Sequence, residues 1–291
     1  MSFIQSINNN PEKITLYKYK GDDLNITLNE KKLSFEELQN SITISFIDLE
    51  TTGFDKLSAE IIEIAIKTIV LDMVNGKILK VIHSYESFQE PKKTIDRIIT
   101  QVTGITDNMV EGCTIDWTKV NDIFSDSDLI IAHNARFDRG FTDLLLPISK
   151  NKIWACSQND INWLERGFSS PKLELLCTWH GFYYDSHRAM NDVKALIHLT
   201  THSYYKNNQK PILELLKNSK NPVYKIIVNN CPFNLKHIVK SNYYRWNGKE
   251  WWKKIQESEI ETEKRFLAKH IYNGQFLGTI KEIAIYDKYK E

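Results

Sequence analysis

The stretch Phe46-Ile47-Asp48-Leu49-Glu50-Thr51-Thr52-Gly53 is the one from which the fold can be read. An apolar run containing Ile42, Ile44, Phe46 and Ile47 leads into two acids separated by one residue, then into a Thr-Thr-Gly turn. Strand side chains alternate faces, so Asp48 and Glu50 project from one side, about 7 Å apart along the chain. Two carboxylates at the end of a buried strand repel each other and lose hydration. Such a pair persists most easily with a cation between them. Alone, Asp-x-Glu also describes a solvated strand end, so its meaning depends on whether later residues answer it.

A chain of 291 residues is long enough for one large domain and a small one. Hydrophobic content of 42% and charged content of 26% are those of an ordinary globular protein. Residues 1–10 lack a basic segment followed by an apolar run, which predicts no secretory leader. The apolar run Ile61–Leu71 is broken by Glu63 and Lys67, so no membrane span is expected. Cys113, Cys156, Cys177 and Cys231 show no Cys-x-x-Cys spacing, which suits reduced thiols in a cytoplasmic setting. Cys177 and His180 are spaced like half a zinc site, but no second half follows and core packing explains them better. The net charge of +1 hides an asymmetry, because residues 206–291 hold 17 Lys+Arg against 9 Asp+Glu. Metal-binding acids and anion-binding groups are therefore expected in different parts of the chain, although a lysine-rich solvated surface has the same composition.

The order of elements follows from patterning. Residues 1–40 read as an N-terminal extension with a short hairpin (Ile14–Tyr19 and Leu24–Leu28) and a small helix, Ser34 to Gln39. A strand at about 41–49 is followed by Glu60–Leu71 and Lys77–Phe88, two β-branched runs joined through Asn75-Gly76, a dipeptide that favours a type I′ hairpin turn. Helices are expected over Thr94–Val102, ending at Gly104, and Asp116–Phe124. Leu129-Ile130-Ile131-Ala132 suits a strand buried on both faces. It opens directly into a helix that stops at Pro147. Next come a strand (Ile153–Cys156), a helix (Asp160–Arg166), a second with apolar residues at Leu173, Leu176 and Trp179, and a long helix from Asp192 to about Tyr204. Three antiparallel strands followed by alternating helices and strands specify an α/β fold, a mixed sheet flanked by helices, over 41–205. Residues 206–220 read as a linker. Residues 221–291 read as a small basic α+β domain with a strand pair around Asn247-Gly248 and a helix over Glu257–Tyr272.

Asp138, in the first turn of the helix after a buried strand, answers Asp48 and Glu50. The carboxyl ends of such strands are where α/β sheets place ligands. Asp192, in the first turn of the last helix, is the fourth carboxylate. Each alone could serve as compensation of a helix dipole, His187 could be a surface loop residue, and His133 with Asn134 could cap a strand end. Their joint type, order and context argue against five coincidences. Oxygen ligands of this kind suit two Mg²⁺ (or Mn²⁺), which about 3.5–4 Å apart can clamp the attacking and leaving oxygens of a phosphoryl displacement. His187 stands where it could take a proton from attacking water.

These residues resemble a known family. Asp-x-Glu-Thr-Thr-Gly at 48–53, His-Asn-x-x-Phe-Asp at 133–138 and His-x-x-x-x-Asp at 187–192 resemble the three motifs of the DEDDh 3′–5′ exonucleases. The closest likeness is to the epsilon proofreading subunit of bacterial DNA polymerase III and to ribonuclease T. Thr103-Gly104-Ile105-Thr106 is similar to a family loop. Trp154-Ala155-Cys156-Ser157 and Gly181-Phe182-Tyr183-Tyr184-Asp185 look like a standalone bacterial branch. Arg188, four residues before the last acid, stands where the tyrosine-type subfamily has tyrosine, which excludes that subfamily.

The resemblance implies a ribonuclease H-like fold, with Asp48, Glu50, Asp138 and Asp192 holding two metal ions and His187 as general base. It implies hydrolysis of nucleic acid from a free 3′ end to nucleoside 5′-monophosphates. Leu49, Thr51 and Thr52 would hold the terminal nucleotide, Asn134 and Phe137 would flank it, and Phe54 is a further candidate. The polymer could be single-stranded DNA or RNA, or the substrate a small phosphodiester. A non-catalytic nucleic-acid-binding scaffold is the reading from a different class, and it should have lost a ligand. No segment reads as a polymerase, so proofreading would need a separate partner. In the tail, Arg245, Trp246, Trp251 and Lys253 interleave cations with aromatics, as a single-strand stacking platform does. Aromatics at alternate strand positions also build small cores. With His187 as the base, a magnesium-dependent rate is expected to fall on acidification, as the base takes up a proton. A rate that holds into acid would remove His187 from that role.

Overall fold

The structure, a computed structural model, describes residues 14–25, 33–205 and 209–290. The chain divides into two compact units, Met1–Ser219 with Tyr289–Glu291, and Lys220–Lys288.

In the first unit the elements in chain order are β1 (Tyr17–Lys18), α1 (Phe35–Gln39), β2 (Ser41–Thr51), β3 (Ile61–Asp72), β4 (Ile78–Phe88), α2 (Arg97–Thr103), α3 (Asp107–Val110) and α4 (Trp117–Ser125). They continue as β5 (Leu129–Ala132), α5 (Ala135–Leu145), β6 (Ile153–Cys156), α6 (Leu173–Trp179), β7 (Phe182–Tyr183), α7 (Ala189–Thr200) and α8 (Pro211–Ser219). A five-stranded sheet runs in the order β4-β3-β2-β5-β6. Its first three strands are antiparallel, and β5 and β6 run parallel to β2. This is the mixed α/β sheet flanked by helices that the patterning specifies.

The period-2 alternation of β2 decides what each face meets. Ile44 and Phe46 join a core with Val193, Leu196 and Ile197 of α7 and Leu176 of α6. Ile47 and Leu49 join a separate core with Val120 and Phe124 of α4 and Phe141 of α5. By the same alternation Asp48 and Glu50 lie on the α7 side. A β-bulge between Glu50 and Thr51 ends the regular register with β3.

Four local readings change. Tyr17–Lys18 pairs in parallel with Phe182–Tyr183 rather than in a hairpin. Tyr17 and Tyr19 pack on His198 of α7, with Tyr17 Oη 2.6 Å from His198 Nε2. Of the proposed second arm, Leu24–Leu28, Leu24 ends a 3₁₀ turn (Asp22–Leu24) and the part beyond Asn25 lies outside the described residues. The connection at Asn75-Gly76 is a longer loop with Gly76 alone at positive φ (64°). The Asp72 carboxylate takes Val74 N–H and Asn75 Nδ2, which replaces the two-residue I′ geometry. Residues 160–166 form turns, because Asp160 accepts Cys156 N–H and Tyr289 Oη instead of opening a helix. Within the segment read as a linker, Pro211–Ser219 is a helix with Ile212 and Leu215 buried.

In the second unit β8 (Val223–Val228), α9 (Lys236–Ser241), β9 (Arg245–Trp246), β10 (Trp251–Gln256), α10 (Ile260–His270) and β11 (Thr279–Ile283) form an antiparallel sheet in the order β11-β8-β10-β9 with two helices. Its core comprises Ile226, Val239, Tyr244, Ile255, Leu267 and Ile271.

Phe46 is fully buried in the central strand, directly behind the acidic pair. Phe46→Ala is expected to cost about 3–5 kcal/mol of unfolding free energy, measured by chemical denaturation of the full chain. A loss below about 1 kcal/mol would mean that this strand is not the core's centre.

Candidate active site

Three elements and both helical layers bring the acids to one rim. Carboxylate oxygens of Asp48 and Glu50 at the end of β2, and of Asp192 in the first turn of α7, lie within 4.8 Å of one another. Asp138 comes from the first turn of α5, on the other face of the sheet. It is 3% exposed, and the Leu49 backbone amide next to Asp48 acts to lower its carboxylate against the effect of burial. The electrostatic cost is visible in every member. Burial, then Asp192, Asp138 and Glu50, raises Asp48 well above the ordinary carboxylate range. Burial and the neighbouring acids push Glu50 up to about 8. Burial raises Asp138 to about 7, and Asp192 to about 6 despite the Tyr184 hydroxyl it accepts. Four carboxylates all raised above the ordinary range, with no cationic side chain among them, form a set of oxygen donors that fits a hard divalent cation.

Neighbouring residues hold these acids in place. Tyr184 Oη donates to Asp192 Oδ1 at 2.7 Å and Arg188 N–H donates to Oδ2 at 3.2 Å. Glu63 faces Glu50 across the β2–β3 pair and is 3% exposed. It takes Arg188 Nη2 at 3.0 Å and Arg188 Nε at 3.2 Å, and its second oxygen takes Ala189 N–H at 3.0 Å. Strand β3 is thereby tied to the start of α7, the turn that carries Asp192. His187 stands one turn earlier at φ 62°, with its side chain 49% exposed and Nε2 3.6 Å from Glu174 Oε1. Ser186 hydrogen-bonds the same Glu174 oxygen, so this loop is clipped to α6.

The family model described as "Exonuclease" (the RNase_T family) matches residues 45–200, which include all of these groups. The chain belongs to this family. Among curated relatives it is 30% identical over 169 residues to the PolC-type DNA polymerase III of Bacillus subtilis, a match covering 54% of this chain and 11% of that polymerase. The corresponding protein of Listeria innocua is 35% identical over 186 residues, covering 61% of this chain and 12% of the relative. The chain therefore spans only about a tenth of the length of these relatives. Among solved structures, Exonuclease X in complex with 5′ overhanging duplex DNA is 22% identical, with a TM-score of 0.41, covering 59% of this chain and 99% of that one. A full-length 3′-exonuclease is 18% identical, with a TM-score of 0.45, covering 56% and 60%.

Beside the acids, the Thr-Thr-Gly turn is braced by hydrogen bonds of its own threonines. Thr51 Oγ1 donates to Gly53 O at 2.6 Å, and Thr52 Oγ1 accepts Glu60 N–H at 2.9 Å. Leu49 is buried in the α4/α5-side core. Asn134 occupies the N-cap position of α5 with no capping bond and is exposed, while His133 is tied to Ser157 through Nδ1 at 2.8 Å. Asn134 and Phe137 line a cleft of about 340 Å³ with Phe54, which is 92% exposed and meets Phe137 edge-on at 6.3 Å. The motif reading gives Glu63 and Tyr184 no role at the site. The sequence signal for Glu63 is one acid inside an otherwise apolar strand, and for Tyr184 a hydroxyl eight residues before Asp192. Arg245, Trp246, Trp251 and Lys253 belong to the second unit, where Lys253 is bound to Glu263 and over the Tyr244 ring. Among the described residues no helix is long and apolar enough to cross a membrane. All four cysteines are free thiols, with Cys177 in the core.

Raised carboxylates set the sign of a pH dependence. The folded state retains protons that the unfolded chain releases at ordinary values, so stability falls as pH rises toward about 8, where Glu50 ionises. In chelator, the protein is expected to be less stable at pH 9 than at pH 7 by chemical denaturation, and Glu50→Gln should flatten that difference. A wild-type stability that rises across this interval would contradict the crowding of these acids.

Proposed function

We propose that the protein hydrolyses the terminal phosphodiester of single-stranded DNA in the 3′–5′ direction and releases nucleoside 5′-monophosphates. The observation that carries this reading is the set of four carboxylates, drawn from both faces of one sheet, whose charge calls for cations. Asp48, Glu50, Asp138 and Asp192 would hold two Mg²⁺ or Mn²⁺ ions. Bound there, the ions neutralise charge on the phosphate and on the attacking and leaving oxygens.

The chain's own groups divide the remaining work. Backbone and side chains of Leu49 to Thr52 hold the terminal nucleotide on a turn stiffened by its own threonines. Asn134 and Phe137, with Phe54 at the mouth of the cleft, flank that nucleotide and orient its 5′-phosphate toward the acids. His187 accepts a proton as water oxygen bonds to phosphorus. The bond from phosphorus to the 3′ oxygen of the preceding nucleotide breaks, and that oxygen is protonated on leaving. The half-exposed, left-handed His187 sits on a loop pinned at Ser186, which permits the ring to turn while its backbone stays placed. Arg188 and Glu63 act through Asp192 as positioning residues.

Degradation of 5′-labelled DNA and RNA oligomers, single- and double-stranded, with Mg²⁺ and with Mn²⁺, tests this reading. Single-stranded DNA should shorten from its 3′ end. Asp138→Ala and Asp192→Asn should each lower the rate by about 10²–10³-fold or more with unchanged far-UV circular dichroism. Undiminished activity in either folded variant would overturn the site, and a strong preference for RNA would overturn the choice of sugar.

A further inference from the structure

The second unit carries a groove that the exonuclease motifs do not use. It has a volume of about 1090 Å³ and lies between the end of β8, helix α9 and the β9–β10 turn. This exceeds the ~300–1,000 Å³ usual for a small-molecule pocket. Its walls include Phe233, Lys236, Lys240, Trp246, Lys249 and Trp251. Two of the aromatics are presented to solvent, Phe233 at 80% and Trp246 at 54% exposure. Trp246 is not loose, because Trp251 on the neighbouring strand holds it at a ring distance of 5.6 Å.

The lysines are equally unusual. Lys253 and Lys225 of this unit are matched by Glu263 and Glu250. No ion pair to a carboxylate among the described residues engages Lys236, Lys240 or Lys249. Lys236 Nζ instead stands 3.7 Å over the Phe233 ring. Glu250, the groove's only acid, is already held by Lys225 at 2.9 Å. Residues 220–288 contain 13 Lys+Arg against 7 Asp+Glu, and three lysines without an ion pair to a carboxylate among the described residues line this groove.

We propose that this groove binds single-stranded nucleic acid, with bases stacking on Trp246 and Phe233 and phosphates meeting Lys236, Lys240 and Lys249. Exposed aromatic faces inside a cationic channel match a ligand that offers flat rings and regularly spaced negative charge. An acidic peptide lacks the rings, and a duplex hides them. The assignment replaces Lys253, which is spent on Glu263, and Arg245, which lies next to Trp246 on β9 but outside the groove. The choice of nucleic acid over other polyanions rests on the exonuclease reading above.

Binding of the full chain to fluorescein-labelled dT20 in EDTA, followed by anisotropy, separates this inference from hydrolysis, since no cleavage is needed. Trp246→Ala is expected to weaken binding by roughly 5- to 150-fold, the range of one stacked base. Lys236→Glu/Lys240→Glu should weaken binding and flatten its salt dependence. Lys264→Glu/Arg265→Glu, the same charge change on α10 outside the groove, should have little effect. Wild-type affinity in Trp246→Ala, equal losses in both charge variants, or equally Trp246-dependent binding of blunt duplex would each overturn the proposal.

Discussion

Repulsion among four desolvated carboxylates at the end of β2 is the constraint around which the first unit is organised. A fold selected for stability alone would place apolar or paired side chains there. Instead the strand that forms the centre of both cores ends in Asp48 and Glu50, and the chain returns twice to add another acid. The surrounding structure offsets only part of this. The Tyr184 hydroxyl and Arg188 N–H each give a hydrogen bond to Asp192, and the one neighbouring guanidinium is bound to Glu63 rather than to the cluster. The remaining unfavourable energy leaves the site primed for cations.

The role of Glu63 shows how secondary structure and charge cooperate. A buried acid in the middle of an apolar strand is costly unless paired. Its partner is Arg188, whose guanidinium also lies over the Phe88 ring at 5.3 Å. The ion pair and the Ala189 N–H bond fix the direction in which α7 leaves the preceding loop. The side chain of Asp192 follows from that direction, and so does the backbone of His187.

Much of this was readable in the residues, for a physical reason. Motifs at 48–53, 133–138 and 187–192 each couple an acid to a strand end or helix start, so local periodicity places them on one edge without knowledge of the packing. The mixed sheet order followed from one run of antiparallel strands and one of alternating elements. What was not legible depended on partners distant in sequence. Nothing near Tyr17 announces β7, which lies 165 residues later. Asp160 resembles a helix start until Tyr289 and the Cys156 amide claim its carboxylate. Lys253 looks like a free cation beside tryptophans, and only the fold reveals Glu263. Asn75-Gly76 carries the right dipeptide for a tight hairpin, but Asp72 draws the preceding amides into a wider loop.

The split of the acids between the two faces of the sheet has a consequence for when hydrolytic capacity can arise. Asp138 reaches Asp48 only after α5 has packed on one side, and Asp192 only after α7 has closed the other. The residues concerned are separated by 90 and 144 positions in the chain. Such long-range closures carry an entropy cost that must be met before their contacts reward it. A nascent or partly opened chain therefore lacks the complete set of ligands even when β2 is already formed. The hydrolysis proposed above would thus need the finished molecule, a requirement that comes from topology.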